Sequence, residues 1–299
     1  MSVAAVVLSW NRREDTLACL RSLLEVRDPA PSVILVDNAS RDGTVEAVRH
    51  EIPGIELIET GTNLGFAEGN NVGIRRALAA GADHVLVLNN DTEVEPGFLR
   101  ALLDEAARRP DAGALCPKIL FADPPGLIWF AGAAYDARSG YNGRHRGYRE
   151  PDDGRFDEVV ETDRACGAAM LVSRGVLEAV GVFDAGLFAY SEDTDWSLRA
   201  REAGLHHYVV PASRVRHRVS AASGGESSPT ALYYDLRNAL VVAERHAPLP
   251  WLRTWRRRVV QVSAHLVQAL RSPRRREGVA AVGSAWRDFR AGRLGQRSP

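Results

Sequence analysis

Through the first 120 residues the chain alternates two hydrophobic patterns. VAAVVLSW (3–10), SVILVDNAS (32–40), IELIETG (55–61), DHVLVLNND (83–91) and AGALCPKILF (112–121) carry short unbroken apolar runs, the signature of strands buried on both faces. Between them lie amphipathic stretches that read as helices. These are REDTLACLRSLLEV (13–26), with Leu17, Leu20 and Leu24 at helical spacing, DGTVEAVRHEI (42–52), FAEGNNVGIRRALAAG (66–81) and EPGFLRALLDEAARRP (95–110). Gly81 suits the C-cap of the third helix, and Pro96 the first turn of the fourth. Strands alternating with helices of this length predict an α/β fold on a doubly wound, mostly parallel sheet with helices on both faces.

The pattern then changes. Residues 122–165 mix aromatic, glycine and charged residues and predict irregular strands and loops, a flap over a site. CGAAMLVSRGVLEAVG (166–181) returns to strand then helix, YSEDTDWSLRAREAGL (190–205) reads as a helix with an acidic start, and LHHYVVPASRVRHR (205–218) as a strand. SAASGGESSP (220–229) is small and polar, a loop or linker, and three helical patterns follow. The expected organisation is a catalytic domain over 1–225 and a basic C-terminal helical extension over 226–299. There is no internal repeat.

Composition adds an asymmetry. The 299 residues have zero formal net charge, yet residues 250–299 hold 12 Arg against one Glu and one Asp, +10, which leaves −10 on the first 249. A basic tail on an acidic body suits contact with an anionic surface. Trp255, Val259, Val262, Leu266 and Leu270 recur there at helical spacing. Such a stripe is first of all a packing surface, and a peripheral membrane contact through these helices is the alternative. No nucleic-acid-binding motif accompanies the charge. Cys19, Cys116 and Cys166 form no C-x-x-C pair, which argues against a disulfide framework or a zinc site and fits a reducing cytoplasm. The N-terminal apolar run precedes its positive charge, the wrong order for a signal peptide. No window has the roughly 20 uninterrupted apolar residues of a spanning helix. The expected location is the cytoplasm, or the cytoplasmic face of a membrane.

Polar residues gather where the strands end. Ser9 and Asn11 close the first strand, Asp37, Asn38 and Ser40 the second, and Asn89, Asn90 and Asp91 the fourth. Ligands of doubly wound sheets bind at that edge. Asp91 is a candidate ligand for Mg2+ or Mn2+, with Asn90 orienting ribose or phosphate, although Asn, Asp and Thr also dominate turns and caps. Asp37 could accept a hydrogen bond from a base or a ribose hydroxyl, or cap the next helix. Gly61, Gly65 and Gly69 allow close backbone approach to a ligand but match neither a dinucleotide fingerprint nor a P-loop. His217, after a strand, is a second candidate metal ligand or a structural histidine. Glu192, Asp193 and Asp195 crowd three carboxylates into the start of one helix, where the macrodipole favours them in any case.

Six motifs, VVLSWNR, VILVDNASRDGT, NLGFAEGNNVGI, VLVLNNDTEV, GAAMLVSRGVLEAVGVFD and FAYSEDTDWSLRAREAG, resemble in their order the family 2 glycosyltransferases, and most of all the rhamnosyltransferase-like branch. The resemblance covers residues 3 to about 240. It implies a GT-A fold, a nucleotide-sugar donor (a dTDP- or UDP-sugar, with dTDP-rhamnose as one candidate), a divalent cation, a saccharide or polyprenyl-linked acceptor, and inversion at the anomeric carbon. It also implies that Asp37 binds base or ribose, and that Asp91 of NND binds metal, with Asn89 where the family has a first carboxylate. Asp193 is implied as the general base with Glu192 beside it, and His217 as a ligand on the metal. Asn70 stands where many relatives outside this branch carry Arg for the phosphate. Asp195 is left to cap its helix. A nucleotidyltransferase and a catalytically inactive membrane-associated scaffold of the same fold are the alternatives; the first lacks a Gly-rich phosphate loop, and the retained SEDTDW and NND argue against the second.

Overall fold

The first strand, β1 (Val3–Ser9), is buried along its whole length, and this fixes the middle of the sheet. The computed structural model describes residues 1–136, 144–219 and 228–297. After β1 come α1 (Arg13–Glu25), β2 (Ser32–Asp37), α2 (Thr44–Glu51), β3 (Glu56–Glu59), α3 (Gly65–Ala79) and β4 (His84–Asn89). β1 pairs in parallel with β2 and β4, and β2 with β3. Val6, Val7, Leu35, Leu86 and Val87 are enclosed at their centre. Each such side chain contributes about 1.5–3 kcal/mol of burial energy.

The remaining elements are β5 (Thr92–Val94), α4 (Phe98–Arg108), β6 (Ala112–Phe121), β7 (Ile128–Phe130), β8 (Ala133–Ala134), β9 (Arg144–His145), β10 (Val160–Thr162), β11 (Ala169–Ser173), α5 (Arg174–Val180), α6 (Glu192–Glu202), β12 (His206–His217), α7 (Pro229–His246), α8 (Trp251–Arg271) and α9 (Arg275–Arg290). The main sheet runs β10-β12-β6-β11-β4-β1-β2-β3. β11 is antiparallel to both β4 and β6, while β6 and β12 are parallel to each other. The sheet is therefore mixed but mostly parallel, with helices packed on it. Because β11 is reversed, its first residue, Ala169, lies opposite Leu88 at the carboxyl end of β4. That reversal delivers the loop before β11 to the edge where ligands of parallel sheets bind.

Residues 122–165 form the short strands β7 to β10 around loops, as the sequence suggested; residues 137–143 of that segment and most of the 220–229 linker lie outside the described residues. The chain's single lysine, Lys118 on β6, is fully buried and holds this segment through Asp152 at 2.5 Å and through Asp157. Gly81 is left-handed (φ 88°) just past α3 and its N–H donates to the Leu78 carbonyl, as a C-cap should. Pro96 lies outside α4, which begins at Phe98 after Gly97.

The C-terminal helices pack around a core of Leu232, Tyr233, Leu236, Ala269, Ala281 and Val282, against which Phe188 and Tyr190 of the segment before α6 are packed. Among the described residues, no helix is long and apolar enough to cross a membrane. Cys19, Cys116 and Cys166 are buried free thiols, and burial pushes Cys19 and Cys166 up to about 12, so none is a reactive thiolate.

Candidate active site

Several of the polar residues at the strand ends are occupied with one another. Ser9 is buried and its hydroxyl lies 3.1 Å from that of Thr16. Asn11 takes the left-handed conformation (φ 59°); its Oδ1 accepts the N–H of Arg41 and its own N–H donates to Ser40 Oγ. Asn38 donates to Asn63 Oδ1 and the Gly65 carbonyl and accepts the Leu64 N–H. Asn90 donates to Thr16 Oγ1 at 2.8 Å. These residues brace the loops of the edge. Their side chains have few bonds left for a ligand, and that narrows the donor-contact role expected for Ser9, Asn38 and Asn90.

The carboxylates behave differently. Asp37 is buried; its Oδ2 accepts the Ser40 N–H at 2.9 Å, which braces the loop after β2 rather than capping α2, while its Oδ1 accepts nothing. Asn89 Oδ1, Asn70 Oδ1, Asp91 Oδ1 and Glu192 Oε2 are also enclosed without a hydrogen-bond partner. Asn70 spends its Nδ2 on the Phe66 carbonyl inside α3. Unsatisfied buried oxygens are costly and rare, and they concentrate where a ligand completes them.

Asp91 and His217 are brought together by β5, which pairs antiparallel with the end of β12 so that Thr92 faces His217; the Arg218 N–H donates to the Asp91 carbonyl. His217 Nε2 lies 3.0 Å from Asp91 Oδ1, yet that oxygen accepts no hydrogen bond. Both groups are nearly buried. Adjacent ligands of an octahedral Mg2+ or Mn2+, each about 2.1 Å from the ion, stand about 3 Å apart. A hard carboxylate oxygen and an imidazole nitrogen suit such an ion. The described residues hold no cluster of three or more His, Cys, Asp or Glu fit for a metal, so diphosphate oxygens and water would have to fill the rest of the shell.

Asp193 is tied to the same edge through the loop before β11, the neighbour of β4. The Asn89 N–H donates to the Ala168 carbonyl at 3.0 Å, and the neighbouring Gly167 N–H donates to Asp193 Oδ2 at 3.1 Å. Gly167 has no room for a side chain without crowding Asp193, whose Cβ would lie 3.3 Å from an added methyl. Behind Asp193 is Arg164. Burial opposes its charge, but the Asp193 carboxylate together with the neighbouring Tyr135, Cys166 and Cys116 outweighs that and the guanidinium is held charged. Arg164 donates to His145 Nε2, and His145 Nδ1 lies 3.0 Å from the Trp129 carbonyl. That pairing assigns the ring proton to Nδ1. Burial, then Arg164, depresses His145 to about 4, so the ring is neutral. The Trp129 ring meets His145 edge-on at 5.1 Å and His217 at 4.7 Å. A continuous wall thus runs from Asp91 and His217 through Trp129 and His145 to Arg164 and Asp193.

Glu192 is enclosed beside Asp193. Burial first, then the Asp193 charge, pushes it up to about 8, which makes it a neutral acid at pH 7. Asp195 is not a cap: α6 starts after left-handed Ser191 with no side-chain cap. Instead Asp195 binds Arg199 at 2.9 Å and His246 at 3.1 Å, a tie from α6 to the end of α7. Burial alone would raise it, but hydrogen bonds from His246 and Arg199 outweigh that and hold it below the usual carboxylate range.

The loop into α6 is strained, with positive φ at Phe188, Tyr190 and Ser191. Two buried side chains of α7 hold it. Arg237 donates to the Leu187 carbonyl, and Asn238 Nδ2 donates within 2.8 Å to the carbonyls of Leu187, Ala189 and Tyr190. On the other side Gly65, at φ 80°, presses on this loop: a Cβ there would meet Phe188 O at 2.5 Å. Sequence reasoning passed over Arg164, Trp129, His145, Arg237 and Asn238. Only the last two left a usable signal, a polar pair inside the apolar run YYDLRNALVV.

The family model for glycosyl transferase family 2 matches residues 4–181. The chain belongs to that family. This glycosyltransferase is 31% identical over 283 residues to an N-acetylglucosaminyl-diphospho-decaprenol L-rhamnosyltransferase of Mycobacterium tuberculosis, covering 86% of this chain and 91% of the relative. It is 25% identical over 257 residues to the dTDP-rhamnosyl transferase RfbF of Shigella flexneri, covering 83% and 82%. Among solved structures it is similar to GalNAc-T7 with UDP, GalNAc and Mn2+, at TM-score 0.63 and 17% identity over 82% of this chain and 48% of that one. It is also similar to the mannosyltransferase PcManGT of Pyrobaculum calidifontis with GDP-Man and Mn2+, at TM-score 0.56 and 17% identity over 97% and 75%. The glycosyltransferase thus has the GT-A fold expected from its sequence.

Proposed function

We propose that this glycosyltransferase moves rhamnose from dTDP-rhamnose to a hydroxyl of a lipid-linked N-acetylglucosamine acceptor, with inversion and with Asp193 as general base. The donor and acceptor follow the printed names of the two relatives above. The observation that carries the chemistry is the approach of Asp193 and the Asp91–His217 pair to one sheet edge, linked by the Asn89–Ala168 and Gly167–Asp193 hydrogen bonds.

A sugar hydroxyl is a poor nucleophile at neutral pH. Asp193 accepts its proton as the oxygen attacks C1, a contribution of about 10²–10⁴-fold. The new C1–O bond forms as the bond from C1 to the diphosphate breaks, and the diphosphate leaves with the electron pair. Asp37, with one enclosed oxygen unspent, orients base or ribose. Asp91 and His217 would hold a divalent cation, which when bound neutralises charge on the diphosphate. Glu192, kept neutral, can donate a hydrogen bond to a sugar oxygen where an ionised carboxylate could not. Gly167 keeps Asp193 aimed, and Trp129 walls the gap.

The test is an assay with dTDP-rhamnose and a lipid-linked N-acetylglucosamine acceptor. The expected products are dTDP and a rhamnosylated acceptor. Transfer of other sugars but not rhamnose would overturn the donor assignment, and undiminished turnover by Asp193→Asn would overturn the base.

A further inference from the structure

α8 buries a partly polar stripe and leaves a row of aliphatic side chains outside, and we infer from this that its outer face is a docking surface for an anionic lipid bilayer. The helix buries Arg257, Gln261, His265 and Ala269, one stripe at four-residue spacing. Arg257 and His265 are satisfied inside, while Gln261 Oε1 accepts no hydrogen bond. Arg257 donates to the carbonyls of Ala247 and Ala243, and His265 Nε2 meets Asp235 at 3.0 Å. Of the apolar stripe read from the sequence, Val262 and Leu266 join the core while Val259 and Leu270 face out.

The outer face holds Leu252 (70% exposed), Val259 (54%), Val260 (58%), Val267 (46%) and Leu270 (61%). Positions 252, 256, 259, 263, 267 and 270 step by three or four residues and so share one side of the helix. A soluble surface helix ordinarily shows the reverse arrangement. Trp251 lies at the amino end of the stripe, exposed as aromatic residues are at a membrane–water boundary.

Charge selects the occupant. Residues 251–276 contain eight arginines and no Asp or Glu. Arg253, Arg256 and Arg271 are exposed along this helix, and Arg274, Arg275 and Arg276 are exposed just beyond it. A second copy docked through this face would bring two strongly cationic segments together, which like-charge repulsion opposes. A nucleic acid would meet the arginines but leave the aliphatic side chains without an apolar environment. An anionic bilayer takes up both, with the helix lying in the headgroup plane.

The experiment is flotation of the full chain with vesicles of phosphatidylcholine alone or with about 30% phosphatidylglycerol, without donor or acceptor. Wild type should float with the anionic vesicles and lose affinity as salt rises. The combined Leu252→Ser, Val259→Ser, Val260→Ser and Leu270→Ser variant should bind at least about tenfold more weakly while keeping its thermal midpoint. Replacing Arg253, Arg256 and Arg271 by Gln should flatten the salt dependence. Wild type that ignores both vesicle types, a quadruple-Ser variant that binds as well as wild type, or a wild-type dimer in sedimentation that the Ser variant abolishes without any vesicle binding would each overturn the inference. The readout needs no turnover, so it stands or falls apart from the transfer chemistry.

Discussion

Asp91 Oδ1 and His217 Nε2 stand 3.0 Å apart without a hydrogen bond between them. Two nearly buried polar groups so close would normally align. That arrangement is in keeping with the proposal that both are ligands of one ion. Manganese should therefore raise the melting temperature of the wild type in the presence of a nucleoside diphosphate. Asp91→Asn and His217→Ala should each weaken Mn2+ binding by more than about tenfold in titration calorimetry. An unchanged Mn2+ affinity in both variants would remove this pair from the metal site.

Asp193→Asn keeps a side chain of the same shape that can still accept the Gly167 N–H through its amide oxygen. Transfer should fall by about 10²–10⁴-fold with donor affinity unchanged. Turnover and nucleotide-sugar binding, measured on the same preparation, separate loss of the base from loss of the fold.

Glu192 gives a stability signature. Its carboxyl is lifted from the ordinary 4.5 to about 8 in the folded chain, by burial and by the Asp193 charge. Between those values the folded state binds more protons than the unfolded one, so this group's contribution is complete below pH 4.5 and is lost as pH rises toward 8. Glu192→Gln should remove that decline. The variant should gain in urea midpoint relative to wild type at pH 8.5 and show little gain at pH 5.

His246 carries the opposite charge and a related dependence. Its hydrogen bond to Asp195, with help from Glu202, raises it above 6.5 despite partial burial. The α6–α7 tie is strongest below 6.5 and weakens as pH climbs past the raised value. His246→Gln should lower stability at pH 6 more than at pH 9, as read by denaturant midpoints at both.

Arg237 is 1% exposed and donates to the carbonyls of Leu187 and Gly295. Arg237→Met preserves much of the volume but leaves the Leu187 carbonyl to Asn238 and the Ala189 N–H and deprives the Gly295 carbonyl of its side-chain donor, at about 1–3 kcal/mol if that oxygen stays dry. The variant should unfold at lower urea and lose transfer more than stability alone explains, because the strained loop before Glu192 loses a clamp. Full activity at a temperature where the variant remains folded would show that the loop holds its shape unaided.

The sheet was legible because its strands are apolar on both faces, a pattern that only deep burial rewards; β1, β2 and β4 need little more than their own residues. The reversal of β11 was not legible, since a buried strand reads the same in either direction. Asp37, Asp91 and Asp193 could be nominated because carboxylates at strand ends and helix starts are few. The internal bonds of Ser9, Asn38 and Asn90 could not be foreseen, as amide side chains brace loops and touch ligands with the same atoms. Asp195 was misjudged as a cap because its partners, Arg199 and His246, include one 51 residues away. The α8 stripe was legible only in part for a related reason: Val262 and Leu266 pack on the core while Val259 and Leu270 face out, because periodicity reveals that a face is apolar but not which way it points.

Arg237 and Asn238, which steady the entry to α6, lie on a helix beyond the last strand of the sheet. The amino-terminal portion cannot therefore be grafted onto a foreign tail at will. A chimera that joins this sheet to another enzyme's terminal helices inherits that enzyme's grip on residues 187–190, and with it a different stance for the carboxylates that follow.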